Sequence, residues 1–344
     1  MNPYIIDILS QPDALRKAIN EFASTPLSAI STRIENGEID RIVITGMGAS
    51  YNAAYPAYIQ LSKLPIPILH INAAELVHYV GGLIGPHTLL WVNSQSGRSA
   101  ELLHLLERIK LTLPACLLAC VNDESSPLAS ASDICLPIHA GTETAVSTKT
   151  YVNTLAVNLL AAYYLAGKDI ELLKKEMLII ADAIEIYLAD WQIHVNELNT
   201  LLGEFENLIV LGRGSSMSAV WSGALTNKEA AKFSLEGMNA AEFRHGPLEL
   251  AMPGFCAMIF AGSTTTASLN HKLAMDIVEH DGRAIWLGAT PDPELPTFRI
   301  LTSDDLISPL VEILPMQILT LVLAKRNNVT AGQFRIIGKV TTVE

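Results

Sequence analysis

Runs of apolar residues that end in glycine or in small polar residues recur along the chain, and they predict buried β-strands. Stretches with helical spacing of apolar residues separate these runs, and the segments 1–40 and 148–191 are helical in pattern. Strands that alternate with helices predict an α/β fold with a parallel sheet covered by helices. The first five runs are RIVITGMGAS (41–50), IPILHINAAEL (66–76), LLWVNSQSG (89–97), ACLLACVND (115–123) and DICLPI (133–138).

The strand pattern restarts after residue 200, with related sequences in the same order. Three matched strand-and-turn units at a nearly constant offset predict that the chain contains two copies of one α/β unit. The turn chemistry differs between the copies, because SQSGRS in the first becomes AGSTTT in the second. The pairs are RIVITGMGAS (41–50) with NLIVLGRGSS (207–216), at an offset of 166, LLWVNSQSGRS (89–99) with CAMIFAGSTTT (256–266), at an offset of 167, and LLACVND (117–123) with AIWLGATPD (284–292).

Length and composition agree with two well-buried globular domains. The chain has 344 residues, of which 50% are hydrophobic and 17% are charged, and we predict domains over residues 1–195 and 196–344. A formal net charge of −12 with no Lys/Arg run argues against nucleic-acid binding. The four cysteines lack metal-ligand spacing, and Cys116 and Cys120 are expected to be buried thiols. No signal peptide or membrane span is predicted, which favours a cytoplasmic location.

The run LLWVNSQSGRSAELLHLLE (89–107) places polar groups where a core strand turns into a helix. Ser94, Gln95, Ser96 and Ser99 lie at this junction, where an α/β protein presents free N–H groups and the positive end of a helix dipole. These groups could bind an anion, most often a phosphate. They could also form an ordinary turn in which a serine caps the helix.

Several motifs in this order resemble the double sugar-isomerase (SIS) domain family, and specifically the isomerase half of glucosamine-6-phosphate synthase. The resemblance covers about residues 39–344 and implies two tandem SIS domains, each a flavodoxin-like parallel sheet flanked by helices. The motifs are GMGASYNAA, NSQSGRSAE, VSTKTYVNTLA, LGRGSSMSAV, NKEAAKFSLEGMNAAEFRHGPLEL and GKVTTVE.

The resemblance implies a role for each residue that matches a family motif. Glu229 matches the glutamate that transfers a proton, and His245 matches the histidine that opens the sugar ring and is donated across a homodimer interface. Lys339 matches the lysine that forms a Schiff base with the open ketose. The expected phosphate ligands are Ser50, Ser94, Gln95, Ser96 and Ser99, and Ser147 is expected to contact the substrate.

Three features depart from the synthase pattern. Thr226 stands where the synthases carry a lysine three residues before the glutamate, which casts doubt on simple isomerisation. Arg98 replaces an acid in the phosphate loop, and we expect it to face solvent. Residue 2 is Asn and the first α/β unit begins almost at once, so we expect no glutaminase half with an N-terminal cysteine nucleophile.

The implied activity is that of a phosphosugar isomerase or deaminase acting on an amino-sugar 6-phosphate, with no glutamine as nitrogen donor. A carboxylate near C1 and C2 would move the proton, and a lysine imine would act as the electron sink. A fructosamine 6-phosphate deglycase, which releases an amino acid, would use the same glutamate and histidine. A non-catalytic sugar-phosphate sensor is the alternative of another class. No metal or other cofactor is expected, because the histidines show no ligand spacing.

Overall fold

The computed structural model describes residues 1–301, 303–336, 338–341 and 343, and its backbone contacts form two compact units. We call Ser10–Ala181 with Phe334–Glu344 the first-sheet unit, and Met1–Leu9 with Asp182–Gln333 the second-sheet unit. The domain boundary between residues 195 and 196 stays a prediction. Thr342 and Glu344, which belong to the motif GKVTTVE, lie outside the described residues.

The first-sheet unit contains a five-stranded parallel sheet in the order β2-β1-β3-β4-β5. All five predicted strands are present. Every residue of the central strand β3 is buried, as expected for a parallel sheet covered on both faces. The strands are β1 (Arg41–Gly46), β2 (Ile68–His70), β3 (Thr88–Ser94), β4 (Cys116–Val121) and β5 (Ile134–Pro137).

The second-sheet unit contains a second five-stranded parallel sheet in the order β10-β9-β8-β6-β7. Read in the opposite direction, the order is β7-β6-β8-β9-β10. The second strand of the unit thus lies at one edge, followed by the first, third, fourth and fifth, as in the first sheet. The three predicted strands are present, whereas the two edge strands, β7 and β10, were not predicted because neither lies in a recognisable apolar run. The strands are β6 (Asn207–Gly212), β7 (Glu236–Asn239), β8 (Phe255–Phe260), β9 (Arg283–Gly288) and β10 (Thr297–Arg299).

The helices follow the predicted pattern, with α1–α3 in residues 1–40 and an almost fully buried apolar helix, α9, inside the predicted helical segment 148–191. The described helices are α1 (Pro3–Leu9), α2 (Gln11–Glu21), α3 (Ser28–Glu35), α4 (Gly48–Ala53), α5 (Tyr55–Leu61), α6 (Ala73–His78), α7 (Ala100–Thr112), α8 (Pro127–Ala131), α9 (Lys149–Leu165), α10 (Ile170–Ala189), α11 (Trp191–Leu202), α12 (Met217–Ala231), α13 (Ala267–Glu279) and α14 (Pro309–Arg326).

The predicted fold class is confirmed, since two parallel sheets are flanked by helices. Cys116 and Cys120 lie on β4 and are buried, and burial raises the pKa of the Cys116 thiol to about 11. Both thiols are therefore packing groups of the core. In the part of the chain that the structure describes, no helix has the length and apolar character needed to cross a bilayer.

Candidate functional site

The strand order of the first sheet identifies one place where a ligand can enter. The chain leaves β1 toward β2 on one side and continues from β3 toward β4 on the other, so the order reverses between β1 and β3. Gly46 and Asn93 face each other at the carboxyl ends of these two strands. Open α/β sheets bind ligands in the crevice at such a switch point. The loops that follow β1 and β3 carry Ser50 and residues 94–99.

The loop after β3 folds back on its own serine side chains. The N–H of Gly97 donates to Ser94 Oγ at 3.0 Å, and the N–H of Arg98 donates to Ser96 Oγ at 3.2 Å. The N–H of Asn122 donates to the Gln95 carbonyl at 3.1 Å. Because both serine oxygens accept backbone N–H groups, their hydroxyl hydrogens remain to donate to an anion.

Ser99 stands at the start of α7, with extended backbone at φ −65° and ψ 153°. Its Oγ is buried and has no hydrogen-bond partner among the described residues. A buried hydroxyl without a partner is costly, and an acceptor at the helix start would remove that cost. Ser50 lies half-buried in α4, directly after β1. Arg98 is exposed, as expected, and pairs with Asp123 at 3.0 Å.

Gly97 fixes the shape of this loop. Its φ is +59°, and a Cβ at this position would lie 2.2 Å from Ser126 Oγ and 2.5 Å from Ser126 Cβ. Ser126 caps α8 by accepting the N–H of Ala129 at 3.3 Å, so it is not free to move away. Only glycine fits here without displacing the loop.

We expect Gly97→Ala to raise KM for a phosphorylated substrate at least about tenfold, because the loop must shift to relieve the contact with Ser126. Gly37→Ala is the matched control. Gly37 also has a positive φ, +74°, but a Cβ there would meet nothing within 4 Å. It should cost only about 1–2 kcal/mol of stability and leave KM unchanged. Equal KM values for Gly97→Ala and wild type, measured by steady-state kinetics, would contradict the role of this loop.

The C-terminal tail is part of the first-sheet unit and reaches the start of α7. The N–H of Ala100 donates to the carbonyl of Thr341 at 3.1 Å. Lys339 Nζ donates to Glu143 Oε2 at 2.7 Å and to the carbonyl of Ala145 at 2.8 Å. The structure therefore brings Lys339 into the unit that contains residues 94–99, although 240 positions separate it from Ser99.

Ser147 belongs to the same unit, in the segment between β5 and α9. It is half-buried, and its Oγ lies 2.9 Å from Thr150 Oγ1. Thr150 Oγ1 also donates to Glu143 Oε2 at 2.7 Å. Ser147 and Lys339 are therefore connected to one carboxylate, which the sequence analysis did not single out.

Glu229 and His245 are both in the second-sheet unit. Glu229 is half-buried in the last turn of α12, and its carbonyl accepts a hydrogen bond from Lys232 Nζ. His245 is exposed and follows a single 3-10 turn, with its N–H donating to the Glu242 carbonyl at 2.9 Å. Thr226, where the synthase motif has lysine, is buried on α12. The roles of Glu229, His245 and the first-sheet residues stay predictions.

Three asparagines that the sequence analysis missed support the first-sheet site. Asn158 Nδ2 donates to Asn93 Oδ1 at 2.7 Å, and Asn93 Nδ2 donates to the Thr45 carbonyl at 3.3 Å, which ties the end of β3 to β1 and α9. Asn122 connects the loop at Gln95 to the segment after β5 by accepting the N–H of Ala140 at 2.9 Å. The sequence could have identified these asparagines, because each is a polar residue in or directly after an otherwise apolar run.

One described group of side chains has a geometry that could hold a cation. His271 Nε2 lies 3.1 Å from Asp292 Oδ2 and 3.7 Å from Glu294 Oε2. The histidines show no ligand spacing in the sequence, yet the fold brings two carboxylates to His271. The His271 ring lies within hydrogen-bond distance of the Asp292 carboxylate, which accounts for this contact without a cation.

The sequence of this chain is similar to a known domain family and to several curated proteins. Residues 38–164 match the SIS domain. The isomerizing glutamine–fructose-6-phosphate aminotransferases of Thermococcus kodakarensis and Methanothermobacter thermautotrophicus are each 29% identical to this chain over 98% of its length. The chain spans only 57% of the length of each of these relatives.

Solved structures show the same fold. The C-terminal domain of glucosamine-fructose-6-phosphate aminotransferase from Francisella tularensis has a TM-score of 0.84 at 22% identity, covering 96% of this chain and 98% of that one. Tagatose-6-phosphate ketose/aldose isomerase from Escherichia coli has a TM-score of 0.81 at 19% identity, covering 97% and 96%. Glucosamine-6-phosphate deaminase from Thermotoga maritima has a TM-score of 0.75 at 19% identity, covering 99% and 100%.

Proposed function

We propose that this protein is a phosphosugar isomerase or deaminase that acts on an amino-sugar 6-phosphate of the glucosamine 6-phosphate type. The observation that carries the proposal is the hydrogen bond from the Ala100 N–H to the Thr341 carbonyl, which holds the lysine-bearing tail at the end of the serine loop. A primary amine on a tail that also contacts the residue after the serine loop is suited to a substrate that has both a carbonyl carbon and a phosphate. The relatives with similar sequences are named as aminotransferases of fructose 6-phosphate, which supports this substrate class.

The proposed reaction moves one proton between C1 and C2 of the open-chain sugar. Glu229 takes the proton from one carbon and returns it to the other through an enediol or enolamine. His245 assists ring opening, and Lys339 forms an imine with the carbonyl carbon and so acts as an electron sink. In the deaminase reaction, water replaces the C2 nitrogen, which leaves as ammonia, and fructose 6-phosphate is the product.

Assembly and location are part of the same proposal. We propose a homodimer in the cytoplasm, with His245 supplied to the neighbouring subunit's site, where its exposed position makes it available. The reaction needs no metal, since the glutamate and the lysine imine supply the base and the electron sink.

The deciding experiment is a substrate screen. Glucosamine 6-phosphate, other hexosamine 6-phosphates and fructosamine 6-phosphates are incubated with the protein while ammonia, fructose 6-phosphate and glucose 6-phosphate are followed. Ammonia with fructose 6-phosphate supports the deaminase, and a free amino acid with glucose 6-phosphate would replace it with the deglycase. Tight binding of a sugar phosphate without turnover of any compound would replace both with a sensor.

Removing two hydroxyls of the serine loop tests the phosphate site. We expect Ser96→Ala combined with Ser99→Ala to raise KM for the phosphorylated substrate at least about tenfold for each hydroxyl, because a hydrogen bond to a charged group contributes about 1.5–3 kcal/mol. Ser62→Ala, an exposed serine whose Oγ donates to the Ile59 carbonyl, is the control. A crystal structure with sulfate bound only at residues 262–266 would refute this assignment.

A further inference from the structure

Glu143 is a buried carboxylate in the irregular segment between β5 and α9, and its side chain has no exposed surface. Oε1 accepts hydrogen bonds from the N–H of Thr148 at 2.9 Å, from Thr148 Oγ1 at 2.9 Å and from the N–H of Thr150 at 3.1 Å. Oε2 accepts from Thr150 Oγ1 and from Lys339 Nζ, both at 2.7 Å. A carboxylate out of water is costly unless donors replace its hydration, and five donors do so here.

The position of Glu143 fixes two parts of the fold at once. Thr148 and Thr150 form the first turn of α9, whose own N-cap side chain makes no capping bond, so the Glu143 carboxylate satisfies N–H groups at the start of that helix. Lys339 comes from the tail, 196 positions away along the chain. The carboxylate therefore joins the tail to the buried helix α9.

The same oxygen determines how Ser147 is oriented. Thr150 Oγ1 uses its single hydrogen to donate to Glu143 Oε2, so it can only accept from Ser147 Oγ, 2.9 Å away. Ser147 is then the donor to Thr150, and the remaining lone pairs of its Oγ can accept a hydroxyl hydrogen of a bound sugar. Glu143 thus acts on Ser147 through Thr150 and on Lys339 directly.

We propose that Glu143 is the positioning residue for the Lys339 amine: it holds the C-terminal tail against the segment that leads into α9, so that Nζ stays at one place. The catalytic part of this inference rests on the proposed function, whereas the docking part does not. Lys339 Nζ has only Glu143 Oε2 and the Ala145 carbonyl as described partners, so loss of the carboxylate removes its only charged contact.

The docking part is tested without substrate by hydrogen exchange at the Ala100 amide, which the tail protects through Thr341. Glu143→Gln and Lys339→Met are each expected to raise the exchange rate of this amide at least tenfold. The double variant should exchange no faster than either single variant, because both remove one contact. Thr150→Val is the matched control. It removes another donor from the same oxygen and should change the rate less than threefold. The proposal would be overturned if the double variant raised the exchange rate of the Ala100 amide by the product of the two single effects. It would also be overturned if Glu143→Gln left this rate unchanged.

The catalytic part is tested by trapping the imine of Lys339 and fructose 6-phosphate with borohydride. Trapping in Glu143→Gln is expected to be about 10–100-fold slower than in wild type, since a displaced nucleophile loses much of its effective concentration. KM for the phosphosugar should change much less than the trapping rate, because the described partners of Glu143 include none of residues 94–99 and Glu143 reaches Ser147 only through Thr150. Trapping at the wild-type rate would overturn the proposal. If the wild type traps no sugar, the Schiff-base step of the proposed function fails, and the exchange cycle alone decides the role of Glu143.

Discussion

Glu229→Gln is expected to lower kcat by about 10²–10⁴-fold, because a positioned general base contributes about that factor and glutamine cannot accept the proton. The substitution preserves shape, and Glu229 is only half-buried in the last turn of α12, so folding should be intact. Kd for the sugar phosphate should stay close to the wild-type value, since we propose that residues 94–99, not Glu229, hold the phosphate. Steady-state kinetics gives kcat, and titration calorimetry gives Kd.

The matched control is Glu236→Gln, an exposed glutamate of the same unit at the start of β7. It makes the same change in charge and composition and should leave kcat unchanged. An unchanged kcat in Glu229→Gln would remove this residue from the mechanism. A large loss of binding in Glu229→Gln, with kcat preserved, would instead assign it to substrate binding.

Glu312→Gln is expected to make the protein more stable than wild type at pH 8, by about 3 kcal/mol. Glu312 is 3% exposed on α14 and accepts a hydrogen bond from Ser216 Oγ at 2.8 Å. Its pKa is raised from 4.5 to about 7, chiefly by burial and to a lesser extent by the charge of Asp305, while hydrogen bonds from Ser216 and Ser308 oppose the rise. A pKa that is higher by about 2.5 corresponds to roughly 3.5 kcal/mol at most, at about 1.4 kcal/mol for each pH unit, and slightly less than this limit is reached at pH 8.

The stability difference between Glu312→Gln and wild type depends on pH, because Glu312 has a higher pKa in the folded chain than in the unfolded chain. Below about pH 4.5 Glu312 is neutral in both the folded and the unfolded chain, so its contribution to the free energy of unfolding is at its maximum there. As the pH rises from 4.5 to 7 the unfolded chain releases the proton first, so the contribution to the free energy of unfolding falls and then levels off above about pH 7. Glutamine stays neutral throughout. The gain over wild type should therefore grow from near zero at pH 4.5 to its maximum at pH 8.

Urea unfolding followed by tryptophan fluorescence at several pH values measures this difference. Glu279→Gln, at the exposed end of α13, is the control and should differ from wild type by no more than about 0.5 kcal/mol at any pH. A pH-independent difference between Glu312→Gln and wild type would show that this carboxyl has an ordinary pKa in the folded protein.

The sequence alone determined the layout of the strands and the loop of residues 94–99. Fully buried parallel strands must be apolar on both faces, so each core strand left a run that can be recognised without its neighbours. The edge strands β7 and β10 left no such run. Glu236 and Arg299 are exposed there, and strand pairing depends on the neighbouring strand. The hydroxyls at the β3–α7 junction could also be recognised from the sequence, because residues 94–99 are contiguous in the chain and directly follow an apolar run.

Only the tertiary structure decided which residues surround that loop. The tail motif was visible in the sequence, but its place beside α7 depends on the bond between Ala100 and Thr341, far apart in the chain. Glu143 carried no local signal, because a single acid before VSTKT has the pattern of a solvated surface residue. Its burial and its contact with Lys339 join positions 196 residues apart. Local patterns encode burial and turns, whereas the partner of a buried charge is chosen by the fold as a whole.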